Sequence, residues 1–203
     1  MTSKSAAFDR YLTPEEERRL LRAVGRVKDI HAERDHAWIR LLLATGMRVG
    51  ALARFTVGDA RQAIATKDLT LRASIQKRHQ AHSVPLNREG EKALRDLLRI
   101  RRAQGYHNEG LDQPLVMSRK HAGMAARSYQ DRLSLWAQEA GLPREISPHW
   151  LRHTVAKRVL ATTTHHNPLG VVQRVLGHRS ISSTGIYTLP DKEAVRQAME
   201  GMR

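Results

Sequence analysis

The feature that most constrains the fold is the spacing of apolar residues, which follows the period of an α-helix through most of the chain. Thr13-Pro14-Glu15-Glu16 predicts a helix start, because Thr13 and Glu16 have the side chains of a capping box. A second helix is predicted over about residues 31–45 and should stop at Gly46. Another helix is predicted to start at Asn87. Further helices are predicted over about residues 125–140, 149–160, 169–176 and 182–188, and a last one from Asp191 to Met199.

The helical period is interrupted once, between residues 67 and 86. Apolar residues there alternate with polar ones at Leu69, Leu71 and Ala73. The segment Ser83-Val84-Pro85-Leu86 follows after a basic turn, and the two stretches together predict a two-stranded ribbon with Lys77 at its tip. The predicted fold class is therefore mainly α with a small antiparallel β-sheet, an α+β fold.

The chain shows no sign of an internal division. It has no repeat, no low-complexity block and no linker rich in Pro, Gly or Ser, and its 203 residues are enough for one sizeable core. We therefore expect a short extension at residues 1–12, one domain over residues 13–190, and a C-terminal helix or tail at residues 191–203. That last segment has a partly apolar face, which leaves open whether it packs on its own domain or is exchanged between protomers.

The net charge indicates a polyanionic partner. Lys and Arg number 35 against 20 acidic residues, which gives +15 and a sequence pI near 11.1. The excess is spread along the chain, and no basic amphipathic segment lies next to a long apolar run, so nucleic acid is favoured over a membrane. With few aromatic residues to stack on single-stranded bases, double-stranded DNA is the expected partner.

Composition also excludes several kinds of chemistry. The chain has no cysteine, which rules out disulfides, thiolate catalysis and cysteine-ligated zinc. No stretch approaches the ~20 apolar residues of a membrane span, and the first residues do not resemble a signal peptide. These features predict a cytoplasmic, nucleoid-associated protein.

The residues that point most directly to a chemistry lie in the C-terminal part of the chain. His149 and Arg152 share one face at the start of a predicted helix, where Ser147 would be the N-cap and Pro148 the first residue. The next predicted helix ends in Leu176-Gly177-His178, and Tyr187 follows nine residues later.

These residue types suit phosphoryl transfer, which needs positive charge on the non-bridging oxygens and proton transfer at the leaving and attacking oxygens. Arg48 and Arg152 can hold a phosphodiester with two donors each, and His178 can add a third donor. Lys77 would be the general acid and His149 an acid or base. Tyr187 would be the nucleophile. Its ordinary pKa of about 10 means that nearby cations or a base must activate it.

At these positions the sequence resembles the tyrosine recombinases, also called phage integrases. Thr45-Gly46-Met47-Arg48 is similar to the first arginine box of that family, and His149-Trp150-Leu151-Arg152-His153 to the second. Leu176-Gly177-His178 and Tyr187 are similar to the third box and the nucleophile, and Lys77 stands before Pro85 like the family's hairpin lysine.

The resemblance implies a site-specific recombinase of the integrase, invertase or resolvase kind. In such an enzyme the tyrosine forms a 3′-phosphotyrosyl link to DNA and frees a 5′-hydroxyl. It uses no metal and no nucleotide cofactor, and it works as a tetramer on two DNA sites. We therefore expect catalytic roles for Arg48, Lys77, His149, Arg152, His178 and Tyr187, and no cofactor.

Two departures from the family pattern bear on these expectations. The family usually has an acidic residue three positions after the first arginine, where this chain has Ala51. The usual N-terminal DNA-clamping domain is also not present in this sequence, so the chain resembles the short stand-alone members such as the fimbrial switch invertases. An accessory DNA-binding protein would then supply part of the grip on DNA.

Other interpretations stay open for several of these features. The chain as a whole could be a DNA-binding regulator with impaired catalysis, or a topoisomerase-like enzyme that nicks and reseals one duplex. Arg48 could be a plain surface arginine, and Lys77 with Arg72 and Arg78 could form a basic hairpin that only contacts phosphates.

Two groups of histidines are better explained without catalysis. The pair His165-His166 invites a metal site, but no carboxylate or cysteine joins it at ligand spacing, so we interpret it as a solvated turn. His153 is expected to be a packed structural histidine.

Overall fold

The computed structural model of the chain describes residues 10–75, 80–107, 110–143, 145–177 and 200. The helices of this part are α1 (Pro14–Gly25), α2 (Ile30–Thr45), α3 (Val49–Leu52), α4 (Val57–Thr66), α5 (Arg88–Ala103), α6 (Ala126–Glu139), α7 (Pro148–Thr162) and α8 (Pro168–Leu176). The strands β1 (Asp68–Leu71) and β2 (His82–Pro85) form one antiparallel pair. The predicted class, mainly helical with a small antiparallel sheet, is confirmed.

Local capping chemistry sets where several helices start. The Thr13 side chain accepts from the Glu16 backbone N–H, and the Glu16 carboxylate accepts from the Thr13 N–H, which is the predicted capping box of α1. Asn87 caps α5 through a bond from the Gly90 N–H. The helices predicted over residues 182–188 and 191–199 lie outside the described residues.

The prediction missed α4 altogether, although its sequence contains a start signal. Thr56 accepts from the Asp59 N–H and Asp59 accepts from the Thr56 N–H, so this helix too begins with a capping box. Its buried residues Val57, Ala60 and Ala63 follow helical spacing. The start of α4 is therefore encoded locally, in Thr56 and Asp59.

The predicted ribbon is present, with Leu69 opposite Val84, but its first strand is shorter than predicted. Ala73 was expected in the strand, and instead it starts a short 3₁₀ helix, Ala73–Ile75. The Arg54 guanidinium donates to the backbone oxygen of Ile75 at 2.6 Å and so holds the chain in this turned form. Lys77, predicted at the ribbon tip, lies outside the described residues.

The core surrounds α2, which packs against α1, α5 and α7. The large side chains of this core include Trp38, Phe55 and Tyr129. The rings of Trp38 and Tyr129 meet edge to face, with 5.1 Å between their centroids. A smaller apolar cluster holds α8 on α7 through Val155, Ala156, Val172 and Leu176. That second cluster fixes the end of α8 relative to α7, and so it sets the geometry of the candidate site.

A buried carboxylate joins α2 to α6. Asp35 is fully buried and accepts from the guanidinium groups of Arg34 and Arg132 and from the indole N–H groups of Trp38 and Trp136. Because every one of these partners is a donor, the charge of Asp35 is compensated inside the core.

Candidate active site

Arg152 is the centre of the candidate site. It lies in the second turn of α7 and only 5% of its surface is exposed. Its guanidinium donates to the backbone oxygen of Leu176 at 2.6 Å and to that of Gly46. One buried cation therefore joins α7 to the ends of two other helices.

Both of those ends are the C-termini of helices, where unpaired carbonyl groups carry partial negative charge. Gly46 is the C-cap of α2 at φ +63°, and Gly177 is the C-cap of α8 at φ +62°. The negative ends of α2 and α8 thus compensate the buried charge of Arg152. An arginine near the start of α7 opposes the dipole of its own helix, and this geometry explains how the fold accommodates it.

Gly46 is needed for the close approach of the three helices. A Cβ atom at this position would lie 2.7 Å from Leu176 Cδ2 and 3.2 Å from Val155 Cγ1. The positive φ is also one that residues with a side chain rarely adopt. The glycine of the predicted first arginine box therefore brings α2 against α7 and α8.

Arg48 lies two residues after Gly46 and is the N-cap residue of α3. Its side chain is partly exposed. Burial lowers the pKa of His82, and the charges of Arg152, Arg174 and Arg48 lower it further. Ala51, at the position where the resemblance leads one to expect an acid, is buried with 2% of its surface exposed. A methyl group in the core thus stands three positions after Arg48, where the family usually has a carboxylate.

His149 is the second residue of α7, and its side chain is exposed one turn before Arg152. Ser147 and Pro148 start the helix as predicted, although the Ser147 side chain makes no capping bond. An exposed imidazole next to a buried guanidinium suits proton transfer to or from a bound phosphate.

His153 matches its prediction as a packed histidine. Burial lowers its pKa to about 4, and the nearby charges of His149, Arg152 and Arg10 act in the same direction. His153 is therefore neutral at physiological pH.

The prediction missed His82, the first residue of β2. Its Nε2 lies 3.2 Å from the backbone oxygen of Val175, near the end of α8. Burial lowers the pKa of His82, and the charges of Arg152, Arg174 and Arg48 lower it further, against the opposing effect of the bond to Val175. No local sequence signal points to this contact, because 93 residues separate its partners.

The other predicted site residues, Lys77, His178 and Tyr187, lie outside the described residues. The structure does describe Gly177, the residue directly before His178 in the chain, and Ile75, two residues before Lys77. Of the six predicted catalytic residues, it therefore describes Arg48, His149 and Arg152.

In the described part of the chain, no group of three or more His, Asp or Glu side chains could hold a metal ion, and no helix is long and apolar enough to cross a membrane. His165 and His166 are exposed in the turn before Asn167, in agreement with the prediction of a solvated turn.

Residues 10–194 match the model of the phage integrase family. The chain belongs to this family, as the resemblance of its arginine boxes predicted. It is 30% identical over 169 residues to the tyrosine recombinase XerC of Chromohalobacter salexigens, which covers 83% of this chain and 52% of that protein. XerC of Caldanaerobacter subterraneus is 30% identical over 191 residues, covering 93% of this chain and 50% of the relative. The chain spans about half the length of these relatives.

Solved structures of recombinases share the fold. The crystal structure of XerA recombinase matches with a TM-score of 0.74 and 25% identity, over 100% of this chain and 66% of that one. The Tn1549 transposon integrase in complex with a circular intermediate DNA matches with a TM-score of 0.74 and 19% identity, over 98% of this chain and 68% of that one. A lambda integrase dimer bound to a core site matches with a TM-score of 0.65 and 18% identity, over 95% and 63% of the two chains.

Proposed function

We propose that this phage integrase family member is a site-specific DNA recombinase that cleaves and rejoins DNA through a 3′-phosphotyrosyl intermediate. The observation that supports this most is the position of Arg152, whose buried guanidinium contacts the helix end before Arg48 and the helix end before His178. The Arg152 guanidinium thus contacts the chain two residues before Arg48, and two forked cations suit a phosphodiester with two non-bridging oxygens.

In the proposed reaction, Arg48, Arg152 and His178 bind the non-bridging oxygens of the scissile phosphate. The Tyr187 hydroxyl loses its proton and attacks phosphorus, which forms the tyrosine–phosphate bond and breaks the bond to the 5′ oxygen. Lys77 gives a proton to that oxygen, and His149 takes the proton of the tyrosine hydroxyl during cleavage and gives it back in the reverse step. Attack by the 5′-hydroxyl of a partner strand reverses these steps. No cofactor takes part.

Double-stranded DNA is the proposed substrate. The net charge of +15 suits a polyanion, and several structural neighbours are recombinases bound to DNA. We further propose that the protein forms a tetramer on two DNA sites, that residues 191–203 are exchanged between protomers, and that an accessory DNA-binding protein assists. Its place of action would be the nucleoid.

A nicked suicide substrate tests the proposal. Cleavage next to the nick releases a short oligonucleotide that carries the 5′-hydroxyl, so the strand cannot reseal and the protein stays attached to DNA. Duplexes made from the DNA that flanks its own gene are the first substrates to try. We expect the wild-type protein to form a covalent species on a denaturing gel.

The matched variants are Tyr187→Phe and Tyr106→Phe. Tyr187→Phe should bind DNA in a gel shift without forming the covalent species, whereas Tyr106→Phe, which changes a tyrosine hydrogen bonded to His121, should form it normally. A covalent species of unchanged yield from Tyr187→Phe would refute the assignment of the nucleophile.

A second candidate function, a DNA-binding regulator with impaired catalysis, is favoured by one observation, the buried Ala51 three positions after Arg48. It predicts a gel shift without a covalent species at any protein concentration. In that case Ala51→Asp, which returns an acid to this position, should restore the covalent species. Relaxation of supercoiled DNA without recombinant products would instead indicate a topoisomerase-like enzyme.

A further inference from the structure

We propose that His82 is a positioning residue that fastens β2 to the C-terminal turn of α8, and so holds the start of β2 in a fixed relation to the helix end that precedes His178. The proposal rests on the proposed function, because the effect is measured as a rate of DNA strand cleavage. It assigns His82 no direct role in moving protons.

The first observation is the hydrogen bond from His82 to the end of α8. The Nε2 atom lies 3.2 Å from the Val175 backbone oxygen. A carbonyl oxygen only accepts, so the imidazole must carry its proton on Nε2. This bond joins the first residue of β2 to the last turn of the helix that precedes His178.

The second observation is that this bond completes the pairing of the last helical carbonyls. The Gly177 N–H donates to the oxygens of Gln173 and Arg174, and the Arg152 guanidinium donates to that of Leu176. Val175 is the remaining carbonyl of the last four, and His82 is its partner. Two side chains therefore donate to the last carbonyls of α8: Arg152 of α7 to Leu176, and His82 of β2 to Val175.

The third observation is the contact between the imidazole ring and Gly177. A Cβ atom on Gly177 would lie 2.9 Å from both Cγ and Cδ2 of His82, so the ring packs directly on the backbone of the C-cap. The left-handed conformation of Gly177, at φ +62°, turns the chain out of the helix at this point. The ring thus supports the turn from which the chain enters His178.

The charges near His82 explain why a histidine suits this position. Burial is the largest cause that lowers the pKa of His82. The positive charges of Arg152, Arg174 and Arg48 lower it further. A neutral imidazole donates one hydrogen bond without adding another positive charge beside these arginines. A lysine at this position would repel them and would compete for the anion that the arginines bind.

The same facts argue against His82 as a general acid. Its Nε2 proton is committed to Val175, and its lowered pKa leaves the ring without a second proton at neutral pH. The effect of His82 on cleavage should therefore depend on its hydrogen bond, and a side chain with a neutral donor at similar reach should replace it.

The test compares His82→Gln with His82→Leu in a single-turnover reaction on the nicked substrate. The glutamine amide nitrogen can donate in place of imidazole Nε2, whereas leucine keeps apolar bulk and has no donor. We expect His82→Leu to lower the rate of covalent trapping by about tenfold or more, since a small displacement of reacting groups has effects of this size. His82→Gln should keep most of the wild-type rate.

The matched control is His36→Leu, which removes a partly buried histidine on α2 that lies near Gly25. Its trapping rate should equal that of the wild-type protein. DNA affinity, measured by gel shift, should stay close to the wild-type value in all three variants, because the proposal places the loss in the cleavage step.

Two results would overturn the proposal: a wild-type trapping rate in His82→Leu, or an equal loss in His82→Gln and His82→Leu. If the wild-type protein forms no covalent species, the proposed function fails instead. The contact is then tested by hydrogen exchange at the Gly177 amide. Faster exchange in His82→Leu than in His82→Gln supports the fastening of the helix end, and equal exchange overturns it.

Discussion

Replacing Gly46 by alanine tests whether the close approach of α2 to α7 and α8 requires a glycine at the α2 C-cap. The added Cβ would lie 2.7 Å from Leu176 Cδ2 and 3.2 Å from Val155 Cγ1. Neither side chain can move away easily, because Leu176 and Val155 belong to the buried cluster between α7 and α8. The substitution would also place a residue with a side chain at φ +63°.

The expected loss of stability has two parts. The left-handed backbone conformation costs a non-glycine residue about 1–2 kcal/mol, and forcing extra volume into a packed core costs about 1–3 kcal/mol. Together they lower the free energy of unfolding by about 2–5 kcal/mol. The backbone oxygen of Gly46 accepts a hydrogen bond from the Arg152 guanidinium. Any backbone shift that moves the new Cβ away from Leu176 and Val155 should therefore also disturb that guanidinium.

Gly50 provides the matched control, since it lies two residues after Arg48 within α3 and a Cβ there would meet nothing within 4 Å. Gly50→Ala should leave stability unchanged or raise it by about 0.5–1 kcal/mol, as alanine favours a helix over glycine. The assay is urea unfolding followed by tryptophan fluorescence. Equal midpoints and slopes for Gly46→Ala and Gly50→Ala would refute the argument that close helix approach requires Gly46.

Two other predictions concern stability. The pKa of His153 is about 4 in the folded protein against an ordinary value of 6.5, so the unfolded chain binds more protons between these values. Folding stability should therefore fall as the pH is lowered from about 6.5 to about 4, and His153→Gln should make this fall smaller. Unfolding curves measured across that pH range check this, and the same dependence on pH in the variant and the wild-type protein would contradict the prediction. Asp35→Ala should lower the free energy of unfolding by about 3–5 kcal/mol, because it leaves Arg34 buried without its carboxylate. Denaturant unfolding measures this loss. An exposed ion pair contributes less than about 1 kcal/mol, and a loss of that size for Asp35→Ala would show that stability does not depend on the buried network.

The helices were predictable where a local signal marks their ends. The capping box at Thr13, the left-handed glycine at Gly46 and the proline at Pro148 each act within a few residues, so they can be recognised without knowledge of the fold. The same kind of signal at Thr56 marked α4 and was overlooked. Ala73 was misplaced because its conformation depends on the bond between Arg54 and Ile75, about twenty residues apart.

The candidate site was only partly predictable for the same physical reason. Arg48, His149 and Arg152 could be chosen from residue type, spacing and family resemblance. Their environment could not, since the partners of Arg152 are backbone oxygens at Gly46 and Leu176, and backbone groups leave no mark on residue identity. His82 was missed because its partner, Val175, becomes a neighbour only in the folded chain.

The central claim is that the oxygen of one particular tyrosine becomes joined to DNA, and peptide mapping of the trapped species tests it most directly. The chain has four tyrosines. Two of them differ in environment, since Tyr129 is fully buried and Tyr106 is hydrogen bonded to His121. After digestion with nuclease and protease, mass spectrometry should find the residual nucleotide on the peptide that contains Tyr187. A nucleotide on the peptide of Tyr11, Tyr106 or Tyr129, with Tyr187 unmodified, would contradict the account.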